Sequence, residues 1–285
     1  MSTQKHPCQR LPSPAPNGVS AAIHVRYIPL SCPTSTFTCI ADRQSQLFGL
    51  ASFAYSFKFL LDFPTPINAS YGWHFQYLTI IGLALATATF LAGLAADVST
   101  SPVLHRLKNY LSMCTAPLEV LISVLYWSLR TIDRKLVIPE WAMLPLRADL
   151  GFHAVPSILL VADLLLLSPP WTISATRAMG LSTALAFAYW FWIEHCFSHN
   201  GFYPYPIFEM VDTKGRIGLF TTSALVMTGS TVALKWLYAK VNGVGDARAS
   251  GERSGKAQDE SSMSEAVNGY MRQGTYMAKG QVETL

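Results

Sequence analysis

The sequence predicts an all-α, polytopic transmembrane helix bundle of about six spans. Only 13% of its 285 residues are charged, while 51% are hydrophobic; a soluble domain carries about 25% charged residues. The apolar residues also occur in long blocks rather than in the alternating or helical periodicity of half-buried elements. A block of about 20 apolar residues is the length that a helix needs to cross a bilayer. We therefore interpret the chain as one membrane domain.

Composition divides the chain into three regions. Residues 1–46 are polar and rich in proline at their start, without the apolar segment of a signal peptide, so we expect a disordered or irregular cytosolic segment. Residues 47–240 contain the apolar blocks and form the predicted transmembrane domain. Residues 241–285 are rich in Gly, Ser and charge, which is typical of a disordered tail, here expected in the cytosol.

Each predicted span is bounded by a helix-ending or interfacial signal. Pro64 and Pro66 end the first span, and the aromatic sequence of residues 71–77 leads into the second. Tyr126 and Trp127 lie near the end of the third. The fourth ends at residues 168–171 (SPPW), and aromatic and proline-rich residues follow the fifth. The predicted spans are residues 47–63, 75–96, 111–130, 152–167, 176–196 and 217–238.

The predicted topology brings polar residues of three spans to one side of the membrane. Lys and Arg are more numerous on the side of the two termini, which favours cytosolic termini. Thr79, His153 and the pair His195 and His199 then lie at similar depth near the other surface. Polar and ionisable groups in a membrane domain usually face the bundle interior or a water-filled cavity. We expect a polar site there.

Position alone leaves other interpretations of these residues open. A threonine such as Thr79 often bonds to a carbonyl of its own helix or to a neighbouring helix. His153 could simply be an interfacial residue hydrated at the headgroups. His195 and His199 are spaced i, i+4 and could hold a metal, but the chain has only seven histidines and no repeated histidine motif. We predict no metal or other cofactor, and interpret His195, His199, Asn200 and Tyr205 as a polar and aromatic lid that contacts substrate.

Several short motifs resemble the androgen-induced integral membrane proteins, whose animal members are threonine hydrolases acting on fatty acid esters of hydroxy fatty acids. Their order and spacing relative to the spans carry the resemblance, which covers residues 47–242. One departure is the sequence Ile80-Ile81-Gly82, where animal members carry an acidic residue shortly after the threonine. The motifs are residues 75–79 (FQYLT), Pro117, Tyr126-Trp127, Asp133-Arg134, Gly151-Phe152-His153, Gly201 and Tyr205-Pro206.

The resemblance implies an intramembrane lipid ester hydrolase with Thr79 as nucleophile and His153 as base. A threonine hydroxyl is a weak nucleophile at neutral pH and needs a base to accept its proton; a neutral histidine suits that role. No third catalytic residue is evident in the sequence, so we predict a Thr/His dyad. The expected partners are a lipid substrate and the bilayer, not nucleic acid, and the expected location is the endoplasmic reticulum or another endomembrane. The alternative is a non-catalytic transporter or lipid-binding scaffold, although no inverted repeat is evident.

Overall fold

A computed structural model of the chain describes residues 33–138, 143–168, 171 and 173–242, with side chains from residue 41 onward. Contacts group residues 1–238 in one unit and 239–285 in another, of which only the end of the last helix is described. Across the described ranges the regular structure is entirely helical. The helices are α1 (Pro33–Asp62), α2 (Leu78–Ser99), α3 (Pro102–Ile132), α4 (Leu146–His153), α5 (Val155–Ala162), α6 (Ala175–Asn200), α7 (Ile207–Met210) and α8 (Thr213–Val241).

Among the residues that the structure describes, three helices, α2, α3 and α8, are long and apolar enough to cross a membrane. A fourth span results if α4 is joined to α5 and the π-helical turn that follows it, Asp163–Leu167. The all-helical membrane fold is thus confirmed, with three or four candidate spans in the described residues where about six were predicted. Helices α1 and α6 have 30 and 26 residues and are also long enough to cross a bilayer, but neither contains a continuous stretch as apolar as those of the three spans.

The helices extend beyond the apolar blocks that predicted them. Helix α1 begins at Pro33, so residues 33–46, which we expected to be irregular, are helical. Helix α3 begins at Pro102, well before the predicted residue 111, because proline is favoured in the first helical turn, where its missing N–H is no loss. Hydropathy detects only the part of a helix that lies in hydrocarbon, so polar helix ends are missed. Residues 1–32 and 243–285 lie outside the described residues.

Small residues on the buried face of α2 allow close packing against α3. A Cβ atom added to Gly82 would lie 2.6 Å from the Oε1 atom of Glu119 on α3. Close approach through small residues is typical of membrane helix pairs. Because α2 and α3 run antiparallel, the amino-terminal end of α2 lies beside the carboxyl-terminal end of α3. The buried small residues of this face are Thr79, Gly82, Ala86, Thr89, Gly93 and Ala96.

The predicted fourth span, residues 152–167, is a broken helix that begins earlier, at Leu146. Helices α4 and α5 meet at Ala154 with a bend of 42°. Pro156 has no N–H to donate to the carbonyl of Phe152, which accounts for a break at this point. The carbonyl of His153, the next residue, accepts hydrogen bonds from Ser123 Oγ at 2.6 Å and Trp127 Nε1 at 3.2 Å. The bend is thus fastened to α3 at His153.

Candidate functional site

Two cavities lie at the end of the bundle where α2 begins and α3 ends. The larger chamber, of about 590 Å³, is bounded by α2, α3, α6 and α8 and is almost entirely apolar, with Leu85, Leu121, Leu185 and Met227 among its wall residues. The smaller chamber, of about 370 Å³, is more polar. Its walls include Phe59, Leu60, His74, Ile80, Phe152 and His153. The two chambers share four wall residues: Thr79, Tyr126, Val137 and Tyr205.

Thr79 is the second residue of α2 and is 7% exposed. A turn with Gly72 at φ 83°, in the left-handed region, and a 3₁₀ helix, Trp73–Gln76, lead into α2. Helix α6 holds this approach in place, because the Tyr189 hydroxyl donates to the carbonyl of Gln76 at 3.0 Å and Trp192 Nε1 donates to that of Phe75 at 2.9 Å. The position of Thr79 is therefore fixed by contacts from a distant part of the chain.

Tyr205 contacts Thr79 from the loop after α6. Its hydroxyl lies near the Thr79 hydroxyl and the backbone N–H groups of Leu78 and Thr79, and Thr79 and Tyr205 both line the two chambers. These N–H groups belong to the first turn of a helix, where no carbonyl of the same helix can accept from them. Burial raises the pKa of Tyr205, and the hydrogen bonds from Thr79 oppose that rise only in part. Tyr205 is thus a neutral phenol at the junction of the two chambers.

His153 is held by a buried carboxylate. Its Nδ1 atom lies 3.1 Å from Asp149 Oδ1 and 3.1 Å from the Asp149 carbonyl oxygen. Both partners only accept hydrogen bonds, so Nδ1 carries the proton of the neutral ring and Nε2 is the basic nitrogen. The ring also stacks on Tyr126, with centroids 3.4 Å apart and planes at 2°. Orientation and tautomer are therefore both set by neighbouring residues.

The third member of the site, Asp149, was missed by the sequence analysis, which found only a Thr/His pair. Asp149 is completely buried, forms an ion pair with Arg130 and accepts a hydrogen bond from the Tyr126 hydroxyl. The i−4 spacing from His153 could have identified it, since residues four apart share a helix face. Arg130 comes from another helix, and no local pattern connects it to Asp149.

The structure brings Thr79, His153 and Tyr205 together in the wall of the smaller chamber, but not the other predicted site residues. His195, His199 and Asn200 line neither chamber. His195 Nε2 lies 3.1 Å from the Tyr71 hydroxyl, and the His199 ring stacks on Tyr71 at 4.1 Å. Asn200 accepts from the backbone N–H of Tyr71 at 2.8 Å and donates to its carbonyl at 3.0 Å. These three residues hold the loop that leads to Thr79.

His74 adds a second histidine to the smaller chamber. Its Nε2 atom lies 3.1 Å from Asn68 Oδ1, and the side chain is almost fully buried. Burial lowers the pKa of His74 to about 4, so it is neutral at physiological pH. Within the described residues, no group of three His, Cys, Asp or Glu side chains could hold a metal ion.

Comparison with known proteins identifies relatives of this membrane domain. Residues 43–239 match the family described as FAR-17a/AIG1-like protein. A relative in Schizosaccharomyces pombe, named UPF0641 membrane protein PJ4664.05, is 35% identical over 174 residues, which cover 60% of this chain and 78% of that protein. No solved structure matches the chain.

Proposed function

The chain belongs to the FAR-17a/AIG1-like family of multi-pass membrane proteins, and on that premise we propose that it is an intramembrane lipid ester hydrolase. The observation that carries the proposal is the smaller chamber, whose wall contains both Thr79 and a histidine with its basic nitrogen uncommitted to Asp149. A hydroxyl, a base and a group that orients the base are the parts of a hydrolytic nucleophile. The proposed roles are Thr79 as nucleophile, His153 as general base and Asp149 as the residue that orients His153.

In the acylation step, Thr79 Oγ attacks the ester carbonyl carbon while its proton passes to His153 Nε2. The carbonyl oxygen becomes an oxyanion as the new C–O bond forms. When the intermediate collapses, the bond to the alcohol oxygen breaks and His153 returns the proton to that oxygen. The products of this step are a free alcohol and an acyl-threonine. Asp149 stabilises the positive charge that His153 carries in between.

Groups around Thr79 support stabilisation of the oxyanion. The N–H groups of Leu78 and Thr79, in the first turn of α2, lie near the neutral Tyr205 hydroxyl. Donors of this kind, aimed at a developing negative charge in a site that excludes water, are a major source of catalysis. In the proposed reaction, the carbonyl oxygen of the substrate accepts hydrogen bonds from these donors.

Hydrolysis of the acyl-threonine completes the cycle. His153 takes a proton from water, the water oxygen attacks the acyl carbon, and the bond to Thr79 Oγ breaks. The proton returns to Thr79 Oγ, and a carboxylic acid leaves. The sum of both steps is one ester and one water converted to one acid and one alcohol, so no cofactor is consumed.

The proposal extends to the substrate and to the membrane topology. From the family resemblance, the substrates are fatty acid esters of hydroxy fatty acids or related lipid esters, which reach the site from the bilayer. Helices α1 and α6 would complete a set of six spans, with both termini in the cytosol and the protein in the endoplasmic reticulum or another endomembrane. Protease protection of tags at either terminus in sealed microsomes tests this orientation.

The test of the activity is fluorophosphonate labelling and ester hydrolysis by the full-length protein in membranes. Thr79→Ala removes the nucleophile, so we expect loss of the label and a fall in turnover of about 10³-fold or more. Thr79→Ser keeps a hydroxyl and should retain labelling. The matched control is Thr87→Ala, since Thr87 lies on the same helix, bonds to the carbonyl of Leu83 and lines neither chamber. Unchanged labelling and turnover in Thr79→Ala would favour a transporter or lipid-binding scaffold.

A further inference from the structure

The position of His153 relative to the two chambers determines where the acyl half and the alcohol half of an ester would lie. Thr79 belongs to the walls of both chambers, whereas His153 lines only the smaller one. In the proposed reaction, the imidazole that takes the proton from Thr79 also delivers it to the alcohol oxygen that leaves. The leaving oxygen must therefore face His153, on the side of the smaller chamber.

We propose that the larger chamber binds the acyl chain of the substrate and the smaller chamber binds its alcohol, with the ester group at Thr79. This assignment rests on the proposed function and adds the direction in which the substrate lies. It identifies the substrate class as esters with a long apolar acyl chain and an alcohol that carries further polar groups.

The walls of the chambers fit these occupants. The larger chamber is lined by leucine, isoleucine and phenylalanine side chains from four helices, and a hydrocarbon chain needs no more than apolar contact. The smaller chamber adds Thr65, His74 and Tyr77 to its apolar wall, so it offers polar groups to an alcohol that carries further oxygen atoms. A pocket of several hundred Å³ is the usual size for a lipid-like or drug-like ligand.

The shared wall explains how one substrate can occupy both chambers. Tyr126 and Tyr205 lie in both walls: Tyr126 stacks on His153, and Tyr205 lies near Thr79. Because Thr79 also lies in both walls, an ester whose carbonyl carbon is at Thr79 can extend one arm into each chamber. The reverse placement would direct the leaving oxygen into a chamber that His153 does not line.

A tryptophan placed in one chamber at a time tests the binding of the acyl chain and the binding of the alcohol separately. Leu85→Trp narrows the larger chamber alone and Leu60→Trp the smaller chamber alone, since each residue lines one cavity. The matched control is Leu91→Trp, on the same helix as Leu85 but exposed and lining neither chamber. The substrates are two series of esters: one alcohol with acyl chains from butanoyl to palmitoyl, and palmitoyl esters of alcohols from methanol to a branched secondary alcohol.

We expect Leu85→Trp to lower kcat/KM for the palmitoyl ester, relative to the butanoyl ester, by about 10-fold or more, without changing the preference among alcohols. Leu60→Trp should lower kcat/KM for the secondary alcohol relative to methanol by a similar factor and leave the acyl preference unchanged. The opposite pattern would overturn the assignment, and so would a lack of any change in selectivity. If a tryptophan variant fails to fold, Leu85→Ala and Leu60→Ala test the opposite change. Each enlarges its chamber and should increase the tolerance of larger groups there.

A binding measurement keeps this inference separate from the proposed activity. Palmitic acid with a diazirine at its far end, bound to the wild-type protein in membranes and photolysed, should crosslink to peptides of α6 and α8. Crosslinks to α1 or to residues 143–153 would overturn the assignment, because those segments line only the smaller chamber. If palmitic acid crosslinks to α6 and α8 but the protein hydrolyses no ester, the assignment of the larger chamber to the acyl chain stands and the proposed hydrolase activity is refuted.

Discussion

The two ends of α3 carry similar buried ion pairs in very different surroundings. At the end near Thr79, Arg130 pairs with Asp149, which holds His153; this group, with Tyr126, is the His153 cluster. About 33 Å away along the helix, Lys108 pairs with Asp163 at 2.8 Å and with Asp42 at 3.5 Å; this is the Lys108 cluster. Members of the His153 cluster line the chambers, whereas those of the Lys108 cluster do not. A buried ion pair is therefore not by itself evidence of a site.

The difference lies in what each cluster leaves available. In the Lys108 cluster, Gln46 donates to Asp42 at 2.7 Å and Ser168 donates to Asp163 at 2.8 Å, so the charges are satisfied by their neighbours. In the His153 cluster, Asp149 occupies one ring nitrogen of His153, and His153 lines the smaller chamber. The first arrangement stabilises helix packing, and the second, in the proposed reaction, orients a base. Substitutions in the two clusters test this division.

The largest expected effect is on catalysis by the His153 cluster. His153→Ala removes the general base, so we expect kcat for ester hydrolysis to fall about 10²- to 10⁴-fold. The measurement is kcat of the purified protein in detergent or liposomes, together with its thermal unfolding midpoint. Hydrolysis at the wild-type rate by this variant would refute the role given to His153, whatever its effect on stability.

The Lys108 cluster should give the opposite result. Lys108→Met leaves Asp42 and Asp163 buried without their cation, which costs about 3–5 kcal/mol of unfolding free energy. The turnover of the protein that remains folded should not change, since none of these residues lines a chamber. Denaturant or thermal unfolding measures the first quantity, and turnover per folded molecule measures the second.

A double substitution provides the control for Lys108. In Lys108→Met with Asp163→Leu, one buried carboxylate is removed along with the cation, so part of the lost stability should return. If turnover per folded molecule fell as far as in His153→Ala, the division between a structural and a catalytic cluster would be wrong.

The sequence predicts the parts of this molecule that depend on local pattern. Apolar blocks identified the helices. Because successive spans run in opposite directions, Thr79 and His153 were expected at the same end of the bundle. The partner of Asp163 could not be predicted, because Lys108 is distant in the chain. Arg130 and the second chamber were missed for the same reason, whereas the i−4 spacing of Asp149 from His153 was a local signal that was overlooked. Pairing between helices depends on packing, which a single sequence does not encode locally.

A smaller effect is expected from the residue that orients His153. Asp149→Asn keeps an oxygen that accepts from Nδ1 but removes the charge that stabilises the imidazolium, so we expect kcat to fall about 10- to 100-fold with little change in KM. The matched control is Asp163→Asn, which changes the same chemical group in the Lys108 cluster and should affect stability rather than kcat. A change confined to KM, or equal losses of kcat in both variants, would contradict the positioning role.

The smallest effect concerns His74, a buried histidine whose side chain lies beside the neutral amide of Asn68. Its pKa is about 4 in the folded protein and about 6.5 in an unfolded chain. The folded state therefore binds fewer protons between these values. Stability is retained above about pH 6.5 and lost as the pH falls towards 4, by about 1–2 kcal/mol at pH 5.5. His74→Gln does not titrate, so the wild type should lose stability relative to this variant on acidification. Unfolding curves of both proteins over this range measure the difference, and parallel pH profiles would show that His74 is not buried in its neutral form.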